Sequence, residues 1–205
     1  GWWYSKSKQY GEKNVLYETY NAFYQLLQAT YRLRQLPEVL AASAEFRHIN
    51  ETKPSDSPAL GQLYERLKKD KLMVKPKYEQ PKILRGNLLL HAHLLRLTDS
   101  LPAEARQDLD KMLRKAPELL EGMVEIAYQR KWLDTAFSAL GLQQSIVQAL
   151  WPPATSLAQL PCLGEAEIKA ILQHPAVKTL RDYLLLSDAD KPGLQGLTPE
   201  DRDEV

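Results

Sequence analysis

The chain has 205 residues, of which 44% are hydrophobic and 26% are charged, and its formal net charge is +1. This composition is typical of a globular protein of one or two domains and does not favour a disordered or fibrous chain. The small net charge excludes a global field that attracts nucleic acid or an acidic membrane, so an anionic partner must meet a local patch.

The first segment is aromatic and then basic. The chain opens Gly-Trp-Trp-Tyr, with lysines at positions 6 and 8. Tryptophan and tyrosine rings favour the headgroup layer of a bilayer, and lysines favour its cytosolic side. The pattern therefore predicts the cytosolic end of a preceding membrane span, with Trp2, Trp3 and Tyr4 at the membrane interface. An ordinary aromatic helix start is the alternative. The sequence itself contains no apolar run of about 18 residues and no signal peptide.

Residues 1–36 are predicted to form a juxtamembrane aromatic helix that leads into the domain. Two stripes recur at helical spacing. The first contains Leu16, Tyr20, Phe23 and Leu27, and the second contains Tyr17, Tyr24 and Tyr31. So wide an apolar face fits core packing, and it also fits contact with a partner or with headgroups.

Residues 37–153 are predicted to form a helical bundle. Pro37 opens a short helix, residues 50–58 form a surface loop, and residues 60–70 form an amphipathic helix. Residues 83–97 are apolar nearly all round, which predicts a central helix. The next helix is expected to end at Pro117. In the last helix, residues 132–150, the predicted inner face contains Leu133, Ala136, Phe137, Leu140, Val147 and Leu150.

The most basic part of the chain runs from position 66 to position 85, and it is diluted by four acids within it or shortly before it: Asp56, Glu65, Asp70 and Glu79. Such a run is usually a solvated face. The alternative is contact with anionic headgroups, RNA or an acidic partner segment. The residues predicted to make that contact are Lys68, Lys69, Lys71, Lys75 and Lys77.

Residues 154–205 are predicted to form a small helix-hairpin-helix-like unit followed by an acidic C-terminal segment. The two helices are expected at 165–172 and 175–186, with a further short one near position 198. A glycine amide at such a turn can approach a phosphate, but Glu165 and Glu167 in the following turn repel phosphate. The unit is therefore interpreted as structural. No segment has the pattern of a strand, so the predicted class is all-α.

No reactive constellation is evident in the sequence. His91 and His93 point in nearly opposite directions on a helix and cannot share a metal. The row Glu118, Glu121 and Glu125 is expected to be a solvated stripe. Cys162 is expected to be an inert core thiol. The sequence thus predicts no catalytic residues, metal or cofactor, and no enzyme.

Five segments, taken in order, resemble the cytosolic Brl region of the Sec-sixty-three family. They are 1–4, 40–46, 116–124, 157–161 and 177–180. The resemblance implies a scaffold on the cytosolic face of the endoplasmic reticulum membrane, held there by a preceding transmembrane span. It also implies binding to the SecY-type channel and to the Sec-sixty-two subunit during protein translocation. The family recruits the lumenal chaperone BiP through a J domain, and no such domain is expected here, because Ala176 follows His174 and Pro175 where that domain has aspartate.

Two other hypotheses remain. Spliceosomal helicases related to Ski-two share the Brl architecture, and in them the Brl domain lies beside a motor and contacts RNA. The third hypothesis is a small helical enzyme. The aromatic start and the acidic hairpin turn favour the translocation scaffold, so no nucleic acid is favoured as a partner. Under that hypothesis RNA binding is expected to be feeble at physiological salt.

Overall fold

The computed structural model describes residues 15–151, 157, 165–177, 180–186 and 191–192. The chain divides into two compact units, Gly1–Ala149 and Leu150–Val205. In the described part of the first unit lie α1 (Tyr17–Leu26), α2 (Leu36–Ala41), α3 (Ser57–Lys69), α4 (Pro81–Leu94), α5 (Ala103–Gln129) and α6 (Leu133–Gln148). In the second lie α7 (Glu165–Leu172) and α8 (Leu180–Leu184). These residues contain no β-strand, and the predicted all-α class is confirmed.

Helix α4 lies at the centre of the first unit. It packs against α2, α3, α5 and α6. Its buried apolar residues are Leu88, Leu89, Leu90, Ala92 and Leu94. The central position predicted from its nearly continuous apolar surface is confirmed, because a helix without a polar face has no favourable place at the surface.

Helix α1 is attached to the bundle through Glu45. The carboxylate of Glu45 accepts a hydrogen bond from the backbone N–H of Leu16 at 2.8 Å and another from the hydroxyl of Thr19. The same hydroxyl accepts a hydrogen bond from the backbone N–H of Ala44 at 2.7 Å. These bonds satisfy two backbone donors and fix the start of α1 beside residues 44 and 45.

The two predicted stripes of α1 have different outcomes. Tyr20, Phe23 and Leu27 of the first stripe are buried. The second stripe divides, since Tyr31 is buried whereas Tyr17 and Tyr24 are 57% and 46% exposed. Helix α1 therefore buries one face only.

Helix α5 continues through Pro117, so the predicted end at this proline is wrong. The helix runs unbroken for 27 residues. An interior proline removes one backbone hydrogen bond and costs about 3 kcal/mol. The residues on both sides are buried, with Met112 and Ala116 before the proline and Leu119 and Leu120 after it. Because each fully buried large apolar side chain contributes about 1.5–3 kcal/mol, continuing the helix outweighs the cost of the proline.

The predicted inner face of α6 is wrong except at Ala136, which is buried. Leu133, Phe137, Leu140 and Val147 are between 41% and 74% exposed. The full set of buried residues is Thr135, Ala136, Ala139, Leu142, Ser145 and Ile146. Most of these are small, which lets the neighbouring helices approach closely. Hydrogen bonds secure this face, because the Thr135 hydroxyl donates to the Gln28 carbonyl at 2.9 Å and His93 Nε2 lies 2.7 Å from the Ile146 carbonyl oxygen.

A buried ion network joins α4 and α5 to the segment before α3. The guanidinium of Arg85 donates to Asp56, to Asp108 Oδ2 at 3.0 Å and to the Ile49 carbonyl at 3.0 Å. Lys53 Nζ donates to the same oxygen of Asp108 at 3.0 Å. Burial opposes ionisation of Asp108, but hydrogen bonds from Lys53, Arg85 and a second lysine hold its pKa below the usual value. Arg85 is thus not part of the solvated basic face that the sequence predicted.

The second unit has a small core of its own. Its buried residues are Leu157, Ile171, Val177 and Tyr183. Helix α7 occupies the predicted range, whereas Pro175 lies in a turn and not at the start of the second helix. The backbone N–H of Val177 donates to the His174 carbonyl at 3.0 Å and closes that turn. The predicted hairpin at 160–164, the Cys162 thiol and the acidic segment after position 192 lie outside the described residues.

Candidate functional site

Two of the five predicted contact lysines, Lys75 and Lys77, line a cleft in the first unit. We call this cleft of about 340 Å³ the basic cleft. Its lining residues are Tyr31, Arg34, Gln35, Glu38, Met73, Val74, Lys75, Lys77 and Asn87. They come from the segment before α2, from α2 itself, from the connection between α3 and α4, and from α4.

Glu38 fixes the connection that carries the two lysines. One carboxylate oxygen of Glu38 accepts hydrogen bonds from the backbone N–H groups of Lys77 and Tyr78, each at 2.7 Å. Charge-assisted bonds of this kind are stronger than bonds between neutral groups. The backbone at Lys77 is therefore held to α2, although residues 72–80 form no helix.

Two tyrosines position the Lys77 ammonium. Lys77 Nζ donates to the Tyr31 hydroxyl at 3.3 Å and lies 5.7 Å and 5.9 Å from the ring centroids of Tyr31 and Tyr78. Burial, then a hydrogen bond and a charge interaction with Tyr31, and the charge of Glu38 raise the pKa of Tyr78 to about 12. Tyr78 is therefore neutral at pH 7. Among the described lining residues, Arg34, Lys75 and Lys77 carry positive charge and Glu38 carries negative charge.

Asn87 lies in the wall of the cleft and is only 2% exposed. Its side-chain nitrogen lies 3.8 Å from the Met73 sulfur, and within the described residues its Oδ1 makes no hydrogen bond. A buried amide oxygen without a partner is costly. The wall of the basic cleft thus contains exposed cations and, beneath them, a buried amide.

The other three predicted lysines lie outside the cleft. Lys68 and Lys69 are exposed in the last turn of α3, where cations stabilise the negative end of the helix dipole. Lys71 follows in the left-handed region with a φ of 53°. The predicted run therefore divides into a helix end and a cleft wall. Trp2, Trp3 and Tyr4, the predicted membrane-interface residues, lie outside the described residues.

Residues 12–188 match the profile of the Sec63 Brl domain. The chain belongs to this family. The U5 small nuclear ribonucleoprotein 200 kDa helicase of Homo sapiens is 31% identical over 90% of the chain, which spans 8% of that helicase. The translocation protein SEC63 homolog of Mus musculus is 27% identical over 94% of the chain, which spans 28% of that protein. The RNA helicase DExH12 of Arabidopsis thaliana is 25% identical over 88% of the chain, which spans 8% of that helicase.

The two close histidines of this Brl domain are each engaged by backbone. His91 Nδ1 lies 2.9 Å from the Asn87 carbonyl oxygen, and His93 contacts α6 as described above. Burial lowers the pKa of His91 to about 4, and its backbone hydrogen bond opposes the shift. In the described part of the chain, no three His, Cys, Asp or Glu side chains are grouped to hold a metal.

The predicted glutamate stripe of α5 is only partly solvated. Glu121 is exposed, whereas Glu118 and Glu125 are half-buried. Glu118 pairs with Lys115, and Glu125 accepts a hydrogen bond from Gln129 at 3.3 Å.

Among the described helices, none is long and apolar enough to cross a membrane.

Proposed function

We propose that this Brl domain is a non-catalytic binding module of a longer protein, and that the basic cleft contacts an anionic partner. The observation that carries the proposal is the charge of the cleft wall, where three exposed cations face one carboxylate. One oxygen of that carboxylate already accepts two backbone hydrogen bonds. Because the connection is fixed to α2, the cations are arranged before a partner arrives, and less conformational entropy is lost on binding.

The first candidate partner is RNA. Relatives named as helicases are more numerous among the similar proteins and reach 31% identity, so the comparisons favour a helicase setting over the translocation setting that the sequence suggested. In that setting the motor lies elsewhere in the protein, and the Brl domain contributes a binding surface beside it. The cleft then contacts the phosphate backbone without reading sequence.

The second candidate is a scaffold of protein translocation at the endoplasmic reticulum membrane. It is supported by the SEC63 homolog, of which this chain covers 28%, compared with 8% of the helicases. In that setting the domain lies on the cytosolic face and binds the SecY-type channel and the Sec-sixty-two subunit. The cleft then contacts an acidic protein segment or anionic headgroups.

Direct binding measurements separate these candidates. The 205-residue chain is titrated into fluorescent single-stranded RNA and into vesicles of phosphatidylserine and phosphatidylcholine, over a range of salt concentrations. In the helicase setting we expect salt-dependent RNA binding, with each of Arg34→Ala and Lys75→Ala reducing the salt slope by about one. In the translocation setting we expect the same variants to weaken vesicle binding and leave RNA binding feeble.

Lys68→Ala is the matched control, because Lys68 is an exposed lysine outside the cleft. A loss for Lys68→Ala equal to that for Lys75→Ala would mean that net charge, and not the cleft, determines binding. Binding to neither probe, even at low salt, would refute an RNA or headgroup role and leave an acidic protein segment to be tested with a poly-glutamate peptide.

A further inference from the structure

Helices α5 and α6 form a second surface, which is apolar. The two helices are joined by residues 130–132 and pack against each other more extensively than any other two described helices. Between them lies a groove of about 470 Å³, which we call the interhelical groove. Its lining residues are Glu121, Val124, Glu125 and Tyr128 from α5, and Leu133, Ala136, Phe137 and Leu140 from α6.

The two walls of the groove have the same spacing. On each helix the four lining residues stand at positions i, i+3, i+4 and i+7. This is the spacing at which side chains share one face of a helix. Two adjacent helices that each have such a face form a groove of the kind that a third helix occupies in a helical bundle.

The apolar side chains of the groove are exposed to water. Tyr128 is 78% exposed, Leu133 65%, Phe137 62% and Leu140 41%. Single exposed apolar residues are ordinary, but a contiguous apolar patch marks an interaction surface. The exposure is not a defect of folding, because the opposite face of α6 is buried and hydrogen-bonded.

The groove is acidic along one wall. Glu121 and Glu125 stand one turn apart on α5, and the α6 wall contributes no charged residue. Two cations of the same helix and its end contact other groups. The Arg130 guanidinium lies 3.8 Å from the ring centroid of Tyr24 and 4.6 Å from that of Trp132, and Lys115 pairs with Glu118. An occupant therefore meets an apolar floor with one negative edge.

We propose that the interhelical groove binds an amphipathic α-helix of a partner protein, with its apolar stripe on Tyr128, Leu133 and Phe137 and a basic edge against Glu121 and Glu125. This is the helix-in-groove mode of recognition, in which apolar anchors recur every three or four residues. The charge of the groove sets the partner's chemistry, because an acidic helix is repelled along the α5 wall. The proposal does not depend on the basic cleft, which lies on other elements.

Two synthetic peptides test the proposal. Both have leucines at i, i+3, i+4 and i+7 repeats; one carries lysines along one edge of the stripe and the other carries glutamates at the same positions. Binding to the 205-residue chain is followed by fluorescence anisotropy. We expect the lysine peptide to bind at least about threefold more tightly, since exposed ion pairs contribute little each. Glu121→Gln combined with Glu125→Gln should remove that preference.

Phe137→Ser should weaken binding of the lysine peptide about tenfold or more, because buried aromatic anchors dominate such interfaces. Val147→Ser is the matched control, since Val147 is an exposed apolar residue of the same helix outside the groove and is 74% exposed. Leu133→Ser provides a second groove variant, and circular dichroism checks that each variant is folded.

Three outcomes would overturn the proposal. The first is equal affinity for the two peptides. The second is an equal loss for Phe137→Ser and Val147→Ser. The third is self-association of the chain that Phe137→Ser abolishes, measured by sedimentation velocity, which would make a second copy the occupant. Variants of the basic cleft should leave peptide binding unchanged, so failure of this proposal is distinguishable from failure of the proposed function.

Discussion

The imidazole of His91 is enclosed by the bundle and is 1% exposed. Its Nδ1 lies within hydrogen-bond distance of the carbonyl oxygen of Asn87, one turn earlier in α4. Burial favours the uncharged ring, and its pKa falls from 6.5 to about 4. The folded protein therefore favours the neutral ring. Between pH 6.5 and about 4, the His91 ring binds a proton in the unfolded chain but not in the folded protein.

We predict that this histidine makes the bundle less stable as the pH falls from 6.5 to about 4. Above this window the ring is neutral in both states. Within it only the unfolded chain binds the proton, so the free energy of unfolding decreases by up to about 3 kcal/mol. Urea unfolding across the window should show a shallower pH dependence for His91→Leu. His48→Gln is the control, because the His48 side chain is 93% exposed. If the free energy of unfolding changed with pH equally in the wild type and both variants, the pH dependence could not be due to His91.

Two glycines in neighbouring helices have opposite surroundings. In α4, a Cβ atom at Gly86 would lie 2.2 Å from Asn50 Nδ2 and 3.1 Å from the Ala41 Cβ. In α3, a Cβ atom at Gly61 would meet nothing within 4 Å. The close approach of α4 to α2 and to the segment that follows α2 therefore depends on the absence of a side chain at position 86. At position 61 no neighbour requires glycine, and glycine only lowers the helix propensity of α3.

The matched pair of alanine substitutions should have effects of opposite sign. Gly86→Ala should lower the free energy of unfolding by about 1–3 kcal/mol, because the buried Asn50 must be displaced. Gly61→Ala should raise it by about 0.5–1 kcal/mol, because the unfolded chain loses conformational freedom. Chemical denaturation of both variants measures the two changes. A Gly86→Ala protein as stable as the wild type would show that α2 and α4 are not closely packed at this point.

The helices could be predicted where a single physical term dominates. The nearly continuous apolar surface of α4 left no other position for it than the centre. The end of α5 was mispredicted because the cost of Pro117 is local, whereas the burial that outweighs it depends on the tertiary fold. The face of α6 was mispredicted because hydrophobicity ranks Phe137 above Ala139, whereas close helix packing selects the smaller residue.

The candidate site could be predicted only in part for the same reason. Lys75 and Lys77 belong to a charged run that is visible in the sequence. Arg34 and Asn87 come from distant positions in the chain and carry no local signal, so only the fold places them in the same cleft. Tyr31 was predicted as part of a tyrosine stripe, but its role beside Lys77 depends on the connection that Glu38 holds.

The chain as a whole divides after Ala149, four residues before the boundary predicted from the double proline. The three predicted segments, 1–36, 37–153 and 154–205, remain a prediction. The first unit contains its own apolar core and the complete ion network around Arg85. These are the properties of a domain that folds without its neighbour.

We predict that a chain shortened to residues 1–149 folds cooperatively. Its far-ultraviolet circular dichroism should retain the helical signal of the first unit, and its thermal midpoint should lie within about 5 °C of that of the corresponding transition in the full chain. Thermal scans of both proteins measure this. A shortened chain that melts without cooperativity would show that the first unit depends on residues after Ala149.

The network around Arg85 also restricts how the sequence can drift over evolutionary time. Replacing Arg85 alone leaves the buried Asp56 carboxylate without its cation, at a cost of about 3–5 kcal/mol, whereas replacing the whole set of Asp56, Arg85 and Asp108 by well-packed apolar residues is often neutral. Neutral routes from the ionic triad therefore require several changes at nearly the same time. We expect related domains to carry either all three charges or none of them at these positions.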